Sequence, residues 1–450
     1  MLSVSGGLKR NARRAFANST TFSNKAFTCN CYDPTWARWS LGRDLQSQER
    51  TQIDCYKGMN AETKVKVEAL AKHSIMLFTL SVEENEVYLP NDELWIYEID
   101  SGLWSMHLME GELPPSMSGS CGSCIKGNFF LFGGFDDKGY SNRLYYVNLR
   151  SRNGTYLWKK ITDFKGQPPT PRDKLACWVY KDRLIYFGGY GCRKQSELSD
   201  CFDVHDAFWE GQMFWGWHND VHVFDTTKKT WYQPTIKHGV PPQPRAAHSC
   251  AVLGNKGYVF GGRVLQTRMD DLHSLNLDSW VWSGKINTTG EKPRSRSWHT
   301  LTPVTDDRLF LFGGLSSDNV PLSDGWIYSV KSNEWQQLTY LPKSRPRLWH
   351  TACLGKEAEV MVFGGSKDDL HFLDTGHCSD LLIFQTQPYS LLRLSLDCIG
   401  RNAILLESQM ALLPPRLLEE ALDKITFWSA ANYRQEKKAK AEYLEETSAS

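Results

Sequence analysis

Five Gly-Gly pairs punctuate the sequence, and each closes a short apolar run. The pairs are Gly133-Gly134, Gly188-Gly189, Gly261-Gly262, Gly313-Gly314 and Gly364-Gly365. Successive pairs lie 55, 73, 52 and 51 residues apart, so three of the four spacings are close to the same value. A period of this size, with one supersecondary unit per repeat, is typical of a solenoid or a propeller.

Each unit continues with a polar turn, a strand-like segment and a tryptophan. Leu144–Leu149 is followed by Trp158, and Val221–Asp225 is followed by Trp231. Such segments are rich in β-branched and aromatic residues and are bounded by turn residues, which is the strand signature. Four short strands per unit, with glycine where the backbone turns sharply, predict a propeller blade. We expect each tryptophan to fill the wedge between neighbouring blades.

The pattern resembles the kelch repeat over roughly residues 87–388. A further unit, Asn91–Asp100 followed by Trp104, has the back half of a repeat but lacks a Gly-Gly pair. The sequence therefore predicts an all-β, six-bladed kelch propeller whose first blade is incomplete. Residues 62–86 are rich in Lys and Glu and end in the apolar run Ser74–Ser81. Either this run forms a poor strand, or the first blade is damaged.

Composition divides the chain into four segments. We expect a variant, poorly ordered segment at 1–86, the propeller at 87–388, a helical region at 389–432 and a disordered charged tail at 433–450. A net charge of +1 gives no global field that would draw the chain to nucleic acid or membrane. No apolar run approaches the ~20 residues needed to span a bilayer.

Twelve cysteines without framework spacing indicate reduced thiols and an intracellular protein, in the cytoplasm or additionally in the nucleus. The first 32 residues contain no acid but five basic residues. This composition also suits a mitochondrial transit peptide, which is the lesser alternative.

Two amphipathic helices are predicted after the propeller. Leucines and isoleucine recur at helical spacing over Ser390–Ile399, and a second helix begins near Leu413-Pro414 with proline in its first turn. These helices could cap the ring or present an apolar face to a partner.

The first helix resembles the elongin-binding box of cullin-RING substrate receptors at Ser390, Leu391 and Ile399, although Ser395 stands where cysteine is usual. Leu413, Pro414 and Leu417 resemble the cullin-contacting box that follows it. The chain as a whole resembles the kelch domain-containing protein 1 and 2 group over roughly residues 87–430, including the stretches Pro171–Lys174, Gly216–Asp220 and Arg296–His299.

Membership in that group implies a non-catalytic substrate receptor of a ubiquitin ligase built on elongin B/C and cullin-2 or cullin-5 with a RING protein. Such receptors capture proteins that end in a C-terminal glycine degron and direct them to proteasomal degradation. A kelch scaffold without a ligase role is the alternative, and it shares every feature except the two boxes.

Two arginines on one loop predict an anion site. Arg263 is the single charged residue directly after a Gly-Gly pair, and Arg268 follows five residues later. Guanidinium groups bind a carboxylate through two parallel hydrogen bonds. The alternative is a solvated loop in which both arginines pair with Asp270 or Asp271.

Neighbouring units offer further groups to this site. Ser297 could add a donor, and Tyr190, Trp217 and Trp298 could wall it. The family resemblance implies that Arg263, Arg268 and Ser297 hold the degron carboxylate. It also implies that Lys174, Tyr190, Trp217 and Trp298 line the pocket.

The longest insertion, residues 191–216, lies in the third unit and carries several acids. It either extends the ligand surface or gates the mouth, or it is a solvated flap.

The sequence offers little support for an enzyme. His248, His299 and His350 occupy one repeated position, which favours blade packing over metal binding, and GxSxG, HExxH and Walker motifs are absent. A metal cluster of His205, His218 and Asp206 is the remaining possibility in the insertion. We expect neither a cofactor nor a metal.

Overall fold

The computed structural model describes residues 74–78, 91–98, 103–150, 155–355, 359–367, 378 and 381–429. Most of the predicted N-terminal segment at 1–86 and the predicted charged tail at 433–450 lie outside the described residues. Within the described ranges, no helix combines the length and apolar character needed to cross a bilayer.

Short strands dominate the chain. The strands of the first half are β1 (Ser74–Phe78), β2 (Glu93–Glu98), β3 (Leu103–Gly111), β4 (Cys121–Ile125), β5 (Asn128–Phe132), β6 (Phe135–Asp136), β7 (Gly139–Tyr140), β8 (Leu144–Asn148), β9 (Tyr156–Lys160), β10 (Arg172–Asp173), β11 (Ala176–Tyr180), β12 (Arg183–Phe187), β13 (Tyr190–Lys194), β14 (Phe208–Glu210), β15 (Met213–Trp217), β16 (Val221–Asp225) and β17 (Thr230–Tyr232). The strands of the second half are β18 (Ser249–Leu253), β19 (Lys256–Phe260), β20 (Arg263–Val264), β21 (Thr267–Arg268), β22 (Leu272–Asn276), β23 (Val281–Lys285), β24 (Arg296–Ser297), β25 (Thr300–Thr305), β26 (Arg308–Phe312), β27 (Leu315–Ser316), β28 (Gly325–Ser329), β29 (Glu334–Gln337), β30 (Thr351–Leu354), β31 (Glu359–Phe363) and β32 (Leu381–Gln385).

Most repeats form a four-stranded antiparallel blade, as the sequence predicts. The blade orders are β4-β5-β8-β9, β11-β12-β16-β17, β18-β19-β22-β23 and β25-β26-β28-β29. The last repeat contributes the three strands β30-β31-β32. The first strand of each blade contacts the first strand of the next, so these strands line the axis of the propeller.

The irregular first unit is folded as well. The apolar run predicted as a poor strand forms β1 and pairs in antiparallel register with β2, which pairs with β3. Residues Met109–Gly111 of β3 then pair in parallel with Tyr156–Trp158 of β9. Within the described part of the chain no fourth strand joins β1, β2 and β3 on their free side.

Hydrophobic clusters fill the wedges between successive blades. Trp231 is buried against Phe132 and Tyr186, with ring centroids 5.2 and 5.7 Å away, as expected for the tryptophan of each repeat. One further cluster joins the two ends of the chain's β-region, because Trp95 and Trp104 pack with Met361 and Leu381. The first unit is therefore packed against the last.

The Gly-Gly turns are sterically required. Gly261 and Gly262 have φ of 62° and 101°, which L side chains rarely adopt. A Cβ on Gly261 would lie 2.7 Å from the carbonyl oxygen of Arg296 of the next repeat. Each turn therefore fixes how closely one blade approaches the next.

A buried arginine clamps each of three repeats. Arg245 is fully buried, and its guanidinium forms two hydrogen bonds to Asp271 at 2.7 and 2.9 Å and one to the Gly261 carbonyl at 2.8 Å. Arg296 makes the same contacts to Asp324 and Gly313, and Arg172 makes them to Asp220 and Gly188. Each of these arginine clamps connects the segment that precedes the first strand of a blade to the Gly-Gly turn of the same repeat.

The repeated histidines pack between successive blades. His248, His299 and His350 lie edge-on to Phe187, Phe260 and Phe312, with ring centroids 5.2 to 5.5 Å apart. Burial lowers the pKa of His248 and of His350 to about 3 and lowers that of His299 well below its ordinary value.

Three helices follow the last strand. They are α1 (Leu391–Arg401), α2 (Ala403–Met410) and α3, which runs from residue 415 to 429 at the edge of the described chain. Ser390 caps α1 by accepting a hydrogen bond from the Arg393 amide at 3.2 Å. The predicted helices correspond to α1 and α3, and α2 between them was not predicted.

Candidate functional site

A row of left-handed residues connects the repeats at the entrance to the inner strands. Gly119, Lys174, Ala247, Trp298 and Trp349 occupy equivalent positions and have φ between 53° and 67°. Each amide from Lys174 onward donates to the carbonyl of its counterpart in the preceding repeat, at 2.8 to 3.1 Å. We call this row the inner ladder. Non-glycine residues with positive φ are uncommon and cluster at functional sites.

The two predicted arginines lie on a short hairpin beside the inner ladder. Arg263 of β20 and Arg268 of β21 are directly opposite each other. Their guanidinium carbons lie 5.1 and 5.8 Å from the ring of Trp298, so one indole supports both cations. The structure thus brings Arg263, Arg268 and Trp298 together.

Ser297 completes this cationic side. Its side chain is fully buried and its hydroxyl accepts a hydrogen bond from Arg268 Nε at 3.0 Å. Trp298 in turn contacts Trp349 in an edge-on arrangement with centroids 5.3 Å apart. The three residues predicted to hold a carboxylate therefore lie within one contact network.

Tyr190 and Trp217 form the facing wall. They are paired across β13 and β15, and their rings meet edge-on at 4.9 Å. Trp217 packs with Ala246 and with Val264 of the arginine hairpin, which connects this wall to the cationic side. Tyr140 extends the wall at 5.7 Å from Tyr190. We call the cluster formed by these residues, Lys174 and the two arginines the socket.

The charge environment of Arg263 differs from that of the arginine clamps. Burial lowers the pKa of Arg263, and Asp173 and Tyr190 oppose that shift. Among the described residues, no carboxylate lies within salt-bridge distance of the Arg263 guanidinium. A half-buried cation whose guanidinium is not paired in a salt bridge favours the binding of an anion.

The alternative pairing with Asp270 or Asp271 is wrong. Asp270 lies 2.7 Å from Lys292, and Asp271 is held by the Arg245 clamp and by His273. Neither acid is a counter-ion of the arginine hairpin.

Lys174 and its neighbour Asp173 lie at the base of the aromatic wall. Lys174 is the ladder residue of the third unit, and its ammonium contacts the buried carboxylate of Asp173. Asp173 is paired with Tyr190 across β10 and β13. Sequence reasoning missed Asp173, Tyr140 and Trp349, although each holds a repeat position equivalent to that of a predicted residue.

Comparisons with known proteins agree with this architecture. A family model described as the KLHDC2/KLHL20/DRC7 Kelch-repeats domain matches residues 68–314 and 211–365. Kelch domain-containing protein 1 of Homo sapiens is 75% identical over 366 residues, which cover 81% of this chain and 90% of that protein. Kelch domain-containing protein 2 of Homo sapiens is 46% identical over 336 residues, which cover 74% of this chain and 82% of that protein.

This chain belongs to the kelch domain-containing protein 1 and 2 group. The assignment to an all-β kelch fold with short C-terminal helices is thereby confirmed.

Residues 191–216, the insertion in the third unit of the kelch ring, fold into an extension of the socket wall. β13 and β15 continue past Tyr190 and Trp217, and β14 is added on the outer edge. Arg193 anchors the ribbon, since it contacts Asp220 and donates to Ser199 Oγ at 3.0 Å. Phe208 and Trp209 on β14 are exposed.

The residues considered as a metal cluster in the insertion differ in their burial. His218 is fully buried between Arg193 and Phe202, whereas the His205 side chain is 96% exposed. The described residues hold no group of three or more side chains arranged for a metal ion.

The residues that resemble the adaptor boxes lie on the C-terminal helices of the kelch chain. Ser390 and Pro414 are exposed, Leu391 is 83% exposed, and Ile399, Leu413 and Leu417 are half-buried. The remaining large exposed apolar side chains of this region are Leu392, Leu394, Ile404, Leu405, Leu412 and Leu422.

The exposed helices are nevertheless anchored to the ring. Arg393 of α1 lies 3.8 Å from the buried Glu359 of β31. Gly400 of α1 packs against Trp428 of α3, and a Cβ on Gly400 would lie 2.6 Å from that indole. One face of α1 is therefore held by the protein while the leucines of another face meet solvent.

Proposed function

We propose that this chain is a non-catalytic substrate receptor that binds the C-terminal carboxylate of proteins ending in glycine. The observation that carries the proposal is the arginine hairpin, in which Arg263 and Arg268 share the face of Trp298 and Ser297 joins Arg268. A chain terminus differs from an internal segment by one carboxylate. Forked guanidinium donors recognise such a group, and each charge-assisted hydrogen bond contributes about 1.5–3 kcal/mol.

The walls of the socket favour glycine. The ring of Trp298 lies against both cations, Tyr190 and Trp217 pack beside Val264 of the arginine hairpin, and Lys174 adds donors for a backbone carbonyl. A terminal residue without Cβ approaches such walls most closely and adopts backbone angles that other residues avoid. The socket therefore suits a tail rather than a folded surface.

The exposed leucines of the C-terminal helices support the second half of the proposal. We infer that α1, α2 and α3 dock elongin B/C and cullin-2 or cullin-5 with its RING protein, so that captured substrates are ubiquitinated in the cytoplasm. Leu391 and Ile404 are 83% and 90% exposed, and large exposed apolar patches mark interaction sites. A kelch scaffold without a ligase role is the second candidate. It is favoured by the contacts of α1 with α3 and with β31, which suit helices that only cap the ring.

Peptide binding tests the socket. A labelled peptide ending in Gly-Gly is expected to bind the full chain, and Arg263→Ala or Ser297→Glu is expected to abolish binding. Asp278→Asn, which alters an exposed acid paired with Lys181, is the matched control and should leave binding unchanged. Unchanged binding by Arg263→Ala would refute the proposal.

Co-purification with elongins B and C tests the helices. Leu391→Arg is expected to abolish recovery of the elongins while leaving peptide binding intact, because Leu391 faces solvent. Equal recovery from wild type and Leu391→Arg would refute docking through this helix and favour the scaffold.

A further inference from the structure

A buried acid lies inside the socket. The side chain of Asp173 is 2% exposed, and one of its carboxylate oxygens contacts the Lys174 ammonium. Its Oδ1 has no hydrogen-bond partner among the residues that the structure describes. Burying a carboxylate with half of its acceptors unused costs stability.

The fold does not require an acid at this place. Ser118, Asp173, Ala246, Ser297 and Leu348 each precede a residue of the inner ladder, and four of the five are neutral. Ser297 uses this position to hold Arg268. A costly group at a position where neutral residues serve equally well points to a role in binding.

The charged and aromatic groups that act on Asp173 belong to the socket or extend its wall. Tyr190 is its cross-strand partner, and Tyr140 stands in its repeat where Arg268 stands in another. Burial raises the pKa of Asp173, whereas Lys174 and Arg263 oppose the shift. Burial raises the pKa of Tyr140 and of Tyr190, and the charge of Asp173 adds to both shifts.

We propose that Asp173 is the counter-ion of Lys174 and thereby excludes tails with an acidic residue next to the terminal glycine. This inference rests on the proposed function. Lys174 is already neutralised by Asp173, so its remaining donors suit a neutral carbonyl of the ligand. A second ligand carboxylate at this wall finds Lys174 already paired and lies near the Asp173 carboxylate, which repels it, while the terminal carboxylate is bound at Arg263 and Arg268.

The ligand class is therefore a polypeptide end with a single negative charge. Like charges repel most strongly where water is excluded, so we expect discrimination of tenfold or more against an adjacent acid.

A cycle of two peptides and two proteins tests the inference. Peptides ending in Gln-Gly and Glu-Gly differ by one charge at nearly constant shape, and Asp173→Asn makes the same change in the protein. Fluorescence polarisation with the full wild-type chain is expected to show at least tenfold weaker binding of Glu-Gly than of Gln-Gly. For Asp173→Asn the ratio is expected to fall below threefold.

Further variants keep the outcome interpretable. Asp173→Ser, which copies the residue at 297, should relax selectivity in the same way and should melt no lower than wild type. Lys174→Gln removes the cation and should increase the discrimination against Glu-Gly. Asp278→Asn at the opposite end of the strands should leave the ratio unchanged.

An equal Glu-Gly to Gln-Gly ratio in wild type and Asp173→Asn would overturn the role of Asp173 and leave the proposed function standing. If neither a Gly-Gly nor a Gln-Gly peptide bound wild type, the proposed function and this inference would fail together.

Discussion

Two sets of arginines in this propeller have the same side chain and opposite surroundings. Arg245 of the clamps is fully buried, and its guanidinium is committed to Asp271 and to the Gly261 carbonyl. Arg263 of the socket lies over Trp298 and, within the described ranges, has no carboxylate at salt-bridge distance. Under the proposed function, the paired arginine serves the fold, whereas the half-buried arginine without a paired acid serves the ligand.

Removing a clamp arginine should strongly destabilise the fold. Arg245→Ala leaves the Asp271 carboxylate and the Gly261 carbonyl without their donor, and the expected loss in the free energy of unfolding is about 3–5 kcal/mol. Urea denaturation followed by tryptophan fluorescence measures this loss. The exposed Arg294→Ala is the control and should change stability by less than about 0.5 kcal/mol. Equal stability of both variants would remove the distinction between clamp and surface arginines.

A buried histidine should make the ring sensitive to acid. The unfolded chain protonates His248 below pH of about 6.5, but the folded chain does so only below about 3. The unfolded state therefore binds more protons in this window, and stability falls as the pH falls through it. At pH 5 the histidine costs about 2 kcal/mol relative to neutral pH.

His248→Leu copies Leu175, the residue of the third unit, and should reduce the loss of stability between pH 7.5 and pH 5 by about 2 kcal/mol. Urea titrations at several pH values measure this change in stability. All of them are done above pH of about 4.5, so that the clamp aspartates remain ionised. The exposed His205→Gln should keep the wild-type pH dependence. A His248→Leu variant with the wild-type dependence would show that this histidine does not remain neutral in the fold.

Removing the socket arginine should have the smallest effect on stability. Arg263→Ala deletes a partly desolvated cation without stranding a paired acid, so the melting temperature should stay within about 2 °C of wild type. Binding of a Gly-Gly peptide should nevertheless fall by at least tenfold. Thermal melting and fluorescence polarisation on one preparation measure both. A variant that melts as Arg245→Ala does would place Arg263 among the clamps.

Much of the fold could be predicted from the sequence because its signals are local. The Gly-Gly turns need positive φ, and Trp231 follows a turn at a fixed offset. Both features therefore recur at regular intervals along the sequence. Ser390 precedes an amphipathic run and caps α1 as such residues do. The helix α2 was missed because the apolar residues of Ala403–Met410 are spread around the helix and do not form one stripe.

The site depends on tertiary contacts that the sequence does not display. Lys174, Ala247 and Trp298 adopt left-handed backbone angles only because hydrogen bonds to neighbouring repeats fix them. The arginine hairpin was found from the repeat alignment, since Arg263 breaks a pattern of uncharged residues. Asp173 was not found, because its neighbour Lys174 makes the pair look like an ordinary surface dipeptide.

The most direct test of the socket compares two forms of one peptide. Isothermal titration calorimetry of the full chain should show that a peptide ending in a free Gly-Gly carboxylate binds at least tenfold more tightly than the same peptide with a C-terminal amide. Arg263→Ala should remove most of that difference. Equal affinity of the free acid and the amide for wild type would contradict the recognition of a chain terminus by these arginines.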